Sequence, residues 1–424
     1  MKKKLVRAAL AAALLCSTAG AATMVASTAA FAKDEQRVSR DVGKPLQEAI
    51  DAAQKKDFAT ALAKIKEAQA VADKTDFDQY KINEILGFIS INTDDYATAA
   101  TAYEAMADSP VLPAEAAKAT LHNALLLASQ QKHWPKVIAY APRLDALGGM
   151  DDKSYTVVAQ AYYFGNDFEN AKQWAQKAVD AAKAAGHQPE EGALEIIMSA
   201  DAKNNNQAGA VQTLEQLAVN FGAPENWGQL IDVALSTKGI RELDALFLYR
   251  LRFISGATTA GEDYTDAAAI ALHAGYPAEA QSVLEKGIAN GKVSKGGRVA
   301  AQLASARSGA RADEGSLKAI AAAAEKAKSG EQDVKLAEDY CGYGRYADAA
   351  TAAARGVAKG GAKDPNEGQF ILGISLVAQG NYTDARTALA KVDGSDARAR
   401  AAHLWDLYAQ FKSKQSAAPA PAQQ

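Results

Sequence analysis

A short phrase recurs along this chain: a turn residue, an aromatic, and an alanine three positions later. It reads Asp57-Phe58 with Ala61, Asp95-Tyr96 with Ala99, Asp167-Phe168 with Ala171, Arg345-Tyr346 with Ala349 and Asn381-Tyr382 with Ala385. The aromatics stand 38 residues apart at Phe58 and Tyr96 and 36 apart at Tyr346 and Tyr382, and Trp134 and Phe168 follow Tyr96 at steps of 38 and 34. Such a period is about one helical hairpin, so the chain reads as stacked repeats in which each unit touches only its neighbours. Repeats remove the usual link between length and domain number, because 424 residues can be added along one axis without a single large core.

The last unit explains why the phrase folds as it does. Leu372 and Leu376 are four apart and share a helix face, as do Ala385 and Leu389, while Gly380-Asn381 breaks the pattern between them. Gly373 within the first helix costs about 1 kcal/mol relative to alanine. Its presence therefore predicts close approach of the second helix at Ala385. The fold class expected is all-α, an α-solenoid of antiparallel helical hairpins.

These residues resemble the tetratricopeptide repeat family, whose pattern is Leu-Gly, an aromatic, a turn, then Ala and a second aromatic, with a late proline. One unit carries Leu86-Gly87, Tyr96, Ala99 and Tyr103, with Pro110 and Pro113 beyond; another carries Ala159, Tyr162, Gly165, Phe168, Ala171 and Ala178. The resemblance implies a right-handed superhelix that holds a protein or peptide in its concave groove and does no bond chemistry. It further implies groove residues flanking the Leu-Gly position of each first helix. Those are Lys81, Glu84, Phe88, Ile91 and Asn92 in one unit, His122, Leu126 and Gln130 in the next, and Lys153, Gln160, Tyr163 and Phe164 in the third. The family's carboxylate clamp of Lys and Asn with Lys and Arg is not reproduced, since Lys81 and Asn92 stand elsewhere on the helix. An amphipathic or extended segment is the occupant that fits. The similarity extends to exported proteobacterial members serving envelope assembly, cell-wall synthesis or TonB-type transport.

Address and charge narrow the setting. Lys2, Lys3, Lys4 and Arg7 precede an apolar stretch and a small-residue site at Ala30-Phe31-Ala32, which reads as a secretory signal peptide over residues 1–32. The expected location is the periplasm or outside the cell. Cleavage there removes four of 47 basic residues and none of 50 acidic ones, so nucleic acid is not an expected partner. Only Cys341 remains beyond that site, so no disulfide forms within the chain. No other stretch is apolar enough for a stable membrane span.

The organisation expected is a charged lead-in at 33–42, clear repeats at 43–186, divergent helical repeats at 187–330, clear repeats at 331–394, a capping helix at 395–412 started by Ser395, and an unfolded Ala/Pro tail at 413–424. No cofactor, metal or catalytic residue is nominated. Gly287 to Lys292 has three residues between its glycines instead of the four of a phosphate loop, and it lacks the Ser or Thr after Lys. Ser129-Gln-Gln-Lys132 lacks the companion motifs of acyl-serine enzymes and reads as a polar turn. The five histidines are scattered, and Cys341 reads as a small apolar filler. Two alternatives stay open. One is binding of glycans or peptidoglycan fragments through the group Tyr155, Tyr162, Tyr163 and Phe164. The other is an accessory helical module of a cell-wall enzyme system.

Overall fold

The computed structural model describes residues 37–258 and 260–417. The signal segment 1–32, most of the lead-in and the end of the tail lie outside the described residues. Within them the chain is an all-α helical-repeat solenoid of twenty helices without a strand. It divides into two compact units at Ala210/Val211. Unit 1 holds α1 (Arg40–Gln54), α2 (Phe58–Ala70), α3 (Asp76–Asn92), α4 (Tyr96–Ala107), α5 (Ala114–Gln130), α6 (Trp134–Ala146), α7 (Asp152–Phe164), α8 (Phe168–Ala184) and α9 (Glu191–Lys203). The boundary falls near the start of α10 (Gln207–Phe221). Unit 2 continues with α11 (Pro224–Leu235), α12 (Glu242–Ile254), α13 (Gly261–His273), α14 (Pro277–Ala289), α15 (Gly297–Lys326), α16 (Glu331–Gly342), α17 (Tyr346–Lys359), α18 (Pro365–Ala378), α19 (Tyr382–Leu389) and α20 (Ala397–Ala417).

The recurring phrase is the hairpin turn itself. In eight hairpins one residue takes a left-handed backbone: Lys56, Asp94, Lys132, Asn166, Asn205, Gly275, Gly344 and Gly380, with φ between 57° and 84°. The next amide in each case donates to the carbonyl five residues back, as Asp57 to Ala52 and Asn381 to Leu376, both at 2.9 Å. This is the Schellman closure, which satisfies carbonyls that a helix end leaves orphaned. The following residue then starts the second helix. The Asp57, Asp95, Asp167 and Asn381 side chains each accept an amide three residues on. The Asn204-Asn205-Asn206 turn, unremarkable by composition, has the same geometry.

Small residues set the hairpin spacing. A Cβ on Gly87 would stand 2.9 Å from the Tyr103 ring, so the Leu-Gly position exists to seat the second helix's aromatic. At Gly373 the close neighbour is Leu389, whose Cγ would lie 2.5 Å from a Cβ. The contact expected at Ala385 thus sits one turn further along, because Ala385 itself is fully buried and too short to reach. Ala99→Leu or Ala385→Leu should each cost about 1–3 kcal/mol, since both alanines have no exposed surface and no room for added methylenes. Denaturant melts of the two variants check this, and parent-like midpoints would refute the packing.

Unit 2 departs from the repeat rule twice. Gly309 lies 34 residues after Gly275 and 35 before Gly344, where the period puts a turn, yet it sits inside the continuous 30-residue α15. The cap and aromatic that follow other turns are here Ala310 and Arg311, which supply neither a cap bond nor an apolar anchor. Gly309 is kept for another reason: a Cβ there would meet Pro277 at 2.8 Å, the first residue of α14.

The second departure is α20. Asp396, not Ser395, accepts the Ala399 amide at 2.9 Å and starts the helix. The helix does not stop at residue 412 but runs to Ala417, held near its end by Lys414 to Asn220 at 2.9 Å. It packs against α18 and α19, which precede it, and also against α11 and α12 at the other end of the unit. The Trp405 indole donates to the Phe247 carbonyl at 3.1 Å, and the Tyr408 hydroxyl to that of Ile254 at 2.9 Å. One helix therefore covers both apolar ends of unit 2.

Candidate functional site

The nominated groove residues all lie on first helices of unit 1, where α1 neighbours α3, and α7 touches both α5 and α9. On α3, Lys81 Nζ donates to Glu84 Oε2 at 2.7 Å and sits over the Phe77 and Tyr80 rings at 5.8 and 5.7 Å. These four residues form a closed polar and aromatic face. Burial, with Glu84 adding to it, pushes the Tyr80 hydroxyl up to about 12, so it stays protonated. Phe88 packs against the core of the first hairpins, and the Asn92 amide is turned back onto the Phe88 carbonyl at 2.8 Å. Phe88 is thus engaged in packing and Asn92 by its own helix.

On α5, Leu126 packs on the neighbouring core and Gln130 is exposed at the last turn. His122 is different. It lines an open depression of about 400 Å³ together with Glu115, Lys118, Ala119 and Gly149. Glu115, Lys118 and His122 are spaced to share one face of α5. Gly149 also lines the depression, and a Cβ there would meet Leu144 Cδ1 at 2.3 Å and Lys118 Cγ at 3.1 Å, so a larger residue would displace both side chains. Burial lowers the His122 pKa, and the nearby Asp151 only partly opposes this, so the imidazole is neutral at neutral pH. Asp151 is itself held below the usual carboxylate range. Burial works to raise it, but hydrogen bonds from the Ser154 side chain and amide outweigh that.

On α7, Lys153 is exposed and Gln160 half-buried, its amide beside Gly192 at the start of α9. Tyr163 and Phe164 belong to a separate feature. Phe164 stacks on Trp134 with centroids 5.1 Å apart and planes at 22°, while Tyr163 meets Phe164 and Phe168 edge-on at 6.2 and 5.4 Å. Trp134 and Phe168 are the first residues of α6 and α8, so these rings cluster where the hairpins turn. Phe164 remains 60% exposed there. Tyr155 does not join it: its hydroxyl binds Asp145 at 2.6 Å and its ring faces Trp174, with Lys177 over Trp174 at 4.2 Å.

Of the sequence-nominated residues the structure brings only His122 into the depression. Glu115, Lys118 and Gly149 were missed, although Glu115 and Lys118 stand seven and four residues before His122 and a face count along α5 finds them. Gly149 has a local role, its amide closing the end of α6 on the Leu144 carbonyl at 3.0 Å after left-handed Gly148, but only the fold brings Lys118 beside it. Ser129 to Lys132 forms the α5–α6 turn, with the Lys132 amide on the Ser129 carbonyl at 2.9 Å. Cys341 is a buried free thiol, its Sγ 3.4 Å from Ser375 Oγ. Among the described residues no group of three or more His, Cys, Asp or Glu is placed to hold a metal ion. No helix among them is long and apolar enough to cross a membrane.

No protein-family model matches the chain, and no curated protein matches it. Similar solved structures are helical-repeat proteins. A tetratricopeptide repeat protein from Parabacteroides merdae is 13% identical, with a TM-score of 0.31 over 63% of this chain and 100% of that one. The Naa15/Naa10 complex bound to HypK-THB is also 13% identical, with a TM-score of 0.38 over 83% of this chain and 63% of that one.

Proposed function

We propose that the chain is a non-catalytic scaffold of the cell envelope that holds a segment of another protein against the first helices of unit 1. The observation that carries this reading is the open depression on α5. It presents a carboxylate, an ammonium and a neutral imidazole on one helix face, with Lys153 exposed on α7 and the Lys81–Glu84 pair on α3. Mixed charge on a rigid helical bed suits an extended or amphipathic peptide, which supplies complementary charge for register and apolar side chains for area. The export signal expected at 1–32 supports a partner in the envelope.

A photo-crosslinking residue in place of Ala119, introduced in native cells, should capture a defined protein that the same residue at exposed Gln176 does not. Lys118→Glu in the same background should reduce the adduct about tenfold or more, the effect of losing roughly 1.4 kcal/mol or more of charge complementarity. Equal labelling at both positions would overturn the assignment. The exposed Phe164 ring beside Trp134 favours one alternative, glycan or peptidoglycan-fragment binding. Titration of muropeptides against Trp fluorescence, with saturable quenching abolished by Phe164→Ala, would support that alternative instead.

A further inference from the structure

Unit 2 contains a continuous chain of ion pairs that ends on its closing helix. Arg398 of α20, 2% exposed, donates to Asp244 of α12 and Asp364 before α18, each at 2.9 Å, and lies 3.9 Å from Glu367 of α18. Arg241 pairs with the same Asp244 and Asp364 at 2.7 and 3.5 Å. Glu367 in turn accepts from Lys335 of α16 at 2.9 Å, and Lys335 also reaches Glu338 at 3.1 Å. The chain thus holds four carboxyl groups, Asp244, Asp364, Glu367 and Glu338, against three cations, Arg241, Lys335 and Arg398.

One negative charge is in excess, and it falls where water is least able to solvate it. Glu338 has no exposed surface. One of its oxygens accepts from Lys335 and from the Tyr276 hydroxyl at 2.8 Å, while the other, Oε1, has no hydrogen-bond partner. A buried carboxyl oxygen left bare, beside a second carboxylate gripping the same ammonium, is the arrangement in which two acids cannot both ionise.

We infer that closure of unit 2 is coupled to one proton, held by Glu338 and shared with Glu367, which keeps this ion-pair chain neutral and α20 clamped. This goes beyond the scaffold reading and does not rest on it. The groups around the pair agree. Burial first, then Glu367, push the Glu338 pKa up to about 8, while Lys335 and Tyr276 oppose. Burial works to raise Glu367 too, but hydrogen bonding from Glu338 and Lys335 holds it below its usual value. Across the site, Arg250 of α12 is committed to Glu279 of α14 through two bonds of 2.7 and 2.6 Å. Asp339, next on α16, is raised to about 6 by burial and by Asp313 of α15.

A carboxyl whose folded pKa exceeds its unfolded value stabilises fully below the ordinary carboxylate range and loses that contribution as pH rises through the folded value. The full-length protein should therefore lose up to about tenfold in its folded-to-unfolded ratio per pH unit from this proton between about pH 5 and 8. Urea melts of the full-length protein across that range, parent against Glu338→Gln, isolate it. His403, whose hydrogen bond to Glu215 raises its pKa, titrates nearby but is common to both proteins. The variant should show a shallower pH slope and outlast the parent at pH 8. Hydrogen exchange of α20 in the parent, corrected for intrinsic rate, should show protection falling over the same window while α1–α8 keep theirs. An unchanged slope in the variant, or, where that variant does not fold, constant α20 protection in the parent from pH 5 to 8.5, overturns the proposal.

Discussion

Replacing Trp405 by alanine should cost about 3–5 kcal/mol, and ending the chain at Gly394 should unfold the whole of unit 2. Trp405 is 3% exposed, Leu404 3% and Tyr408 7%, and Tyr408 and Phe411 place their rings 5.4 and 6.0 Å from the fully buried Trp227. Phe411 lies where a side chain on Gly222 would be, its ring 2.0 Å from the Cβ a larger residue would bring, so α20 is fitted to the start of the unit as closely as to its end. In an open repeat array the loss of a terminal helix is felt by one neighbour, because interactions are nearest-neighbour. Here both ends would be uncovered together, and several such side chains approach the total stability of a domain, about 5–15 kcal/mol. Limited proteolysis with mass spectrometry should show the truncated chain cut throughout unit 2 while α1–α8 survive. Cleavage confined to α18 and α19 would mean that α20 is an ordinary cap.

Arg398→Met should destabilise unit 2 by about 3–5 kcal/mol, because it leaves the fully buried Asp244 with a single, largely exposed cation, Arg241. The double variant Arg398→Met/Asp244→Leu should recover much of that loss, since removing both partners leaves no uncompensated charge. Equilibrium melts of the two singles and the double form the cycle, and simple additivity would show that the two groups are not energetically paired. Arg250 and Glu279 are buried and doubly hydrogen-bonded in the same way, with the Arg250 guanidinium 4.9 Å from the Phe247 ring centroid. Unit 2 thus includes charge and aromatic contacts that span distant repeats, while ion pairs of unit 1 such as Lys136–Asp108 and Lys177–Asp145 join neighbouring hairpins.

Hairpins were readable because their cause is local. A left-handed residue, a capping Asp or Asn, an aromatic and a small residue three positions on all act within one turn, and each leaves a mark at the repeat spacing. That is why Asp57, Asp95, Asp167 and Asn381 announce the second helices. The cost of Gly373 likewise announced a close crossing, although the partner is Leu389. The candidate site was less legible. Twelve nominated residues followed from helix position alone, and position does not say which side chains their own fold will engage. Phe88 and Leu126 pack on the core, the Asn92 amide turns back onto its own helix and Phe164, still 60% exposed, stacks on Trp134, while Gln130 and Lys153 stay exposed and His122 stands beside the unsuspected Glu115, Lys118 and Gly149.

By itself the sequence determined the all-α class and the hairpins that carry the recurring phrase, since periodic apolar faces and turn residues act through neighbours along the chain. Only the tertiary structure decided that a turn due at Gly309 is absent, that α20 joins the two ends of unit 2, and that Glu338, Glu367 and Arg398 meet in one ion-pair chain. Those outcomes depend on groups far apart in the chain, 154 residues at Arg398 and Asp244 and 194 at Lys414 and Asn220, whose encounter is fixed by how successive repeats stack and by no pattern near either residue.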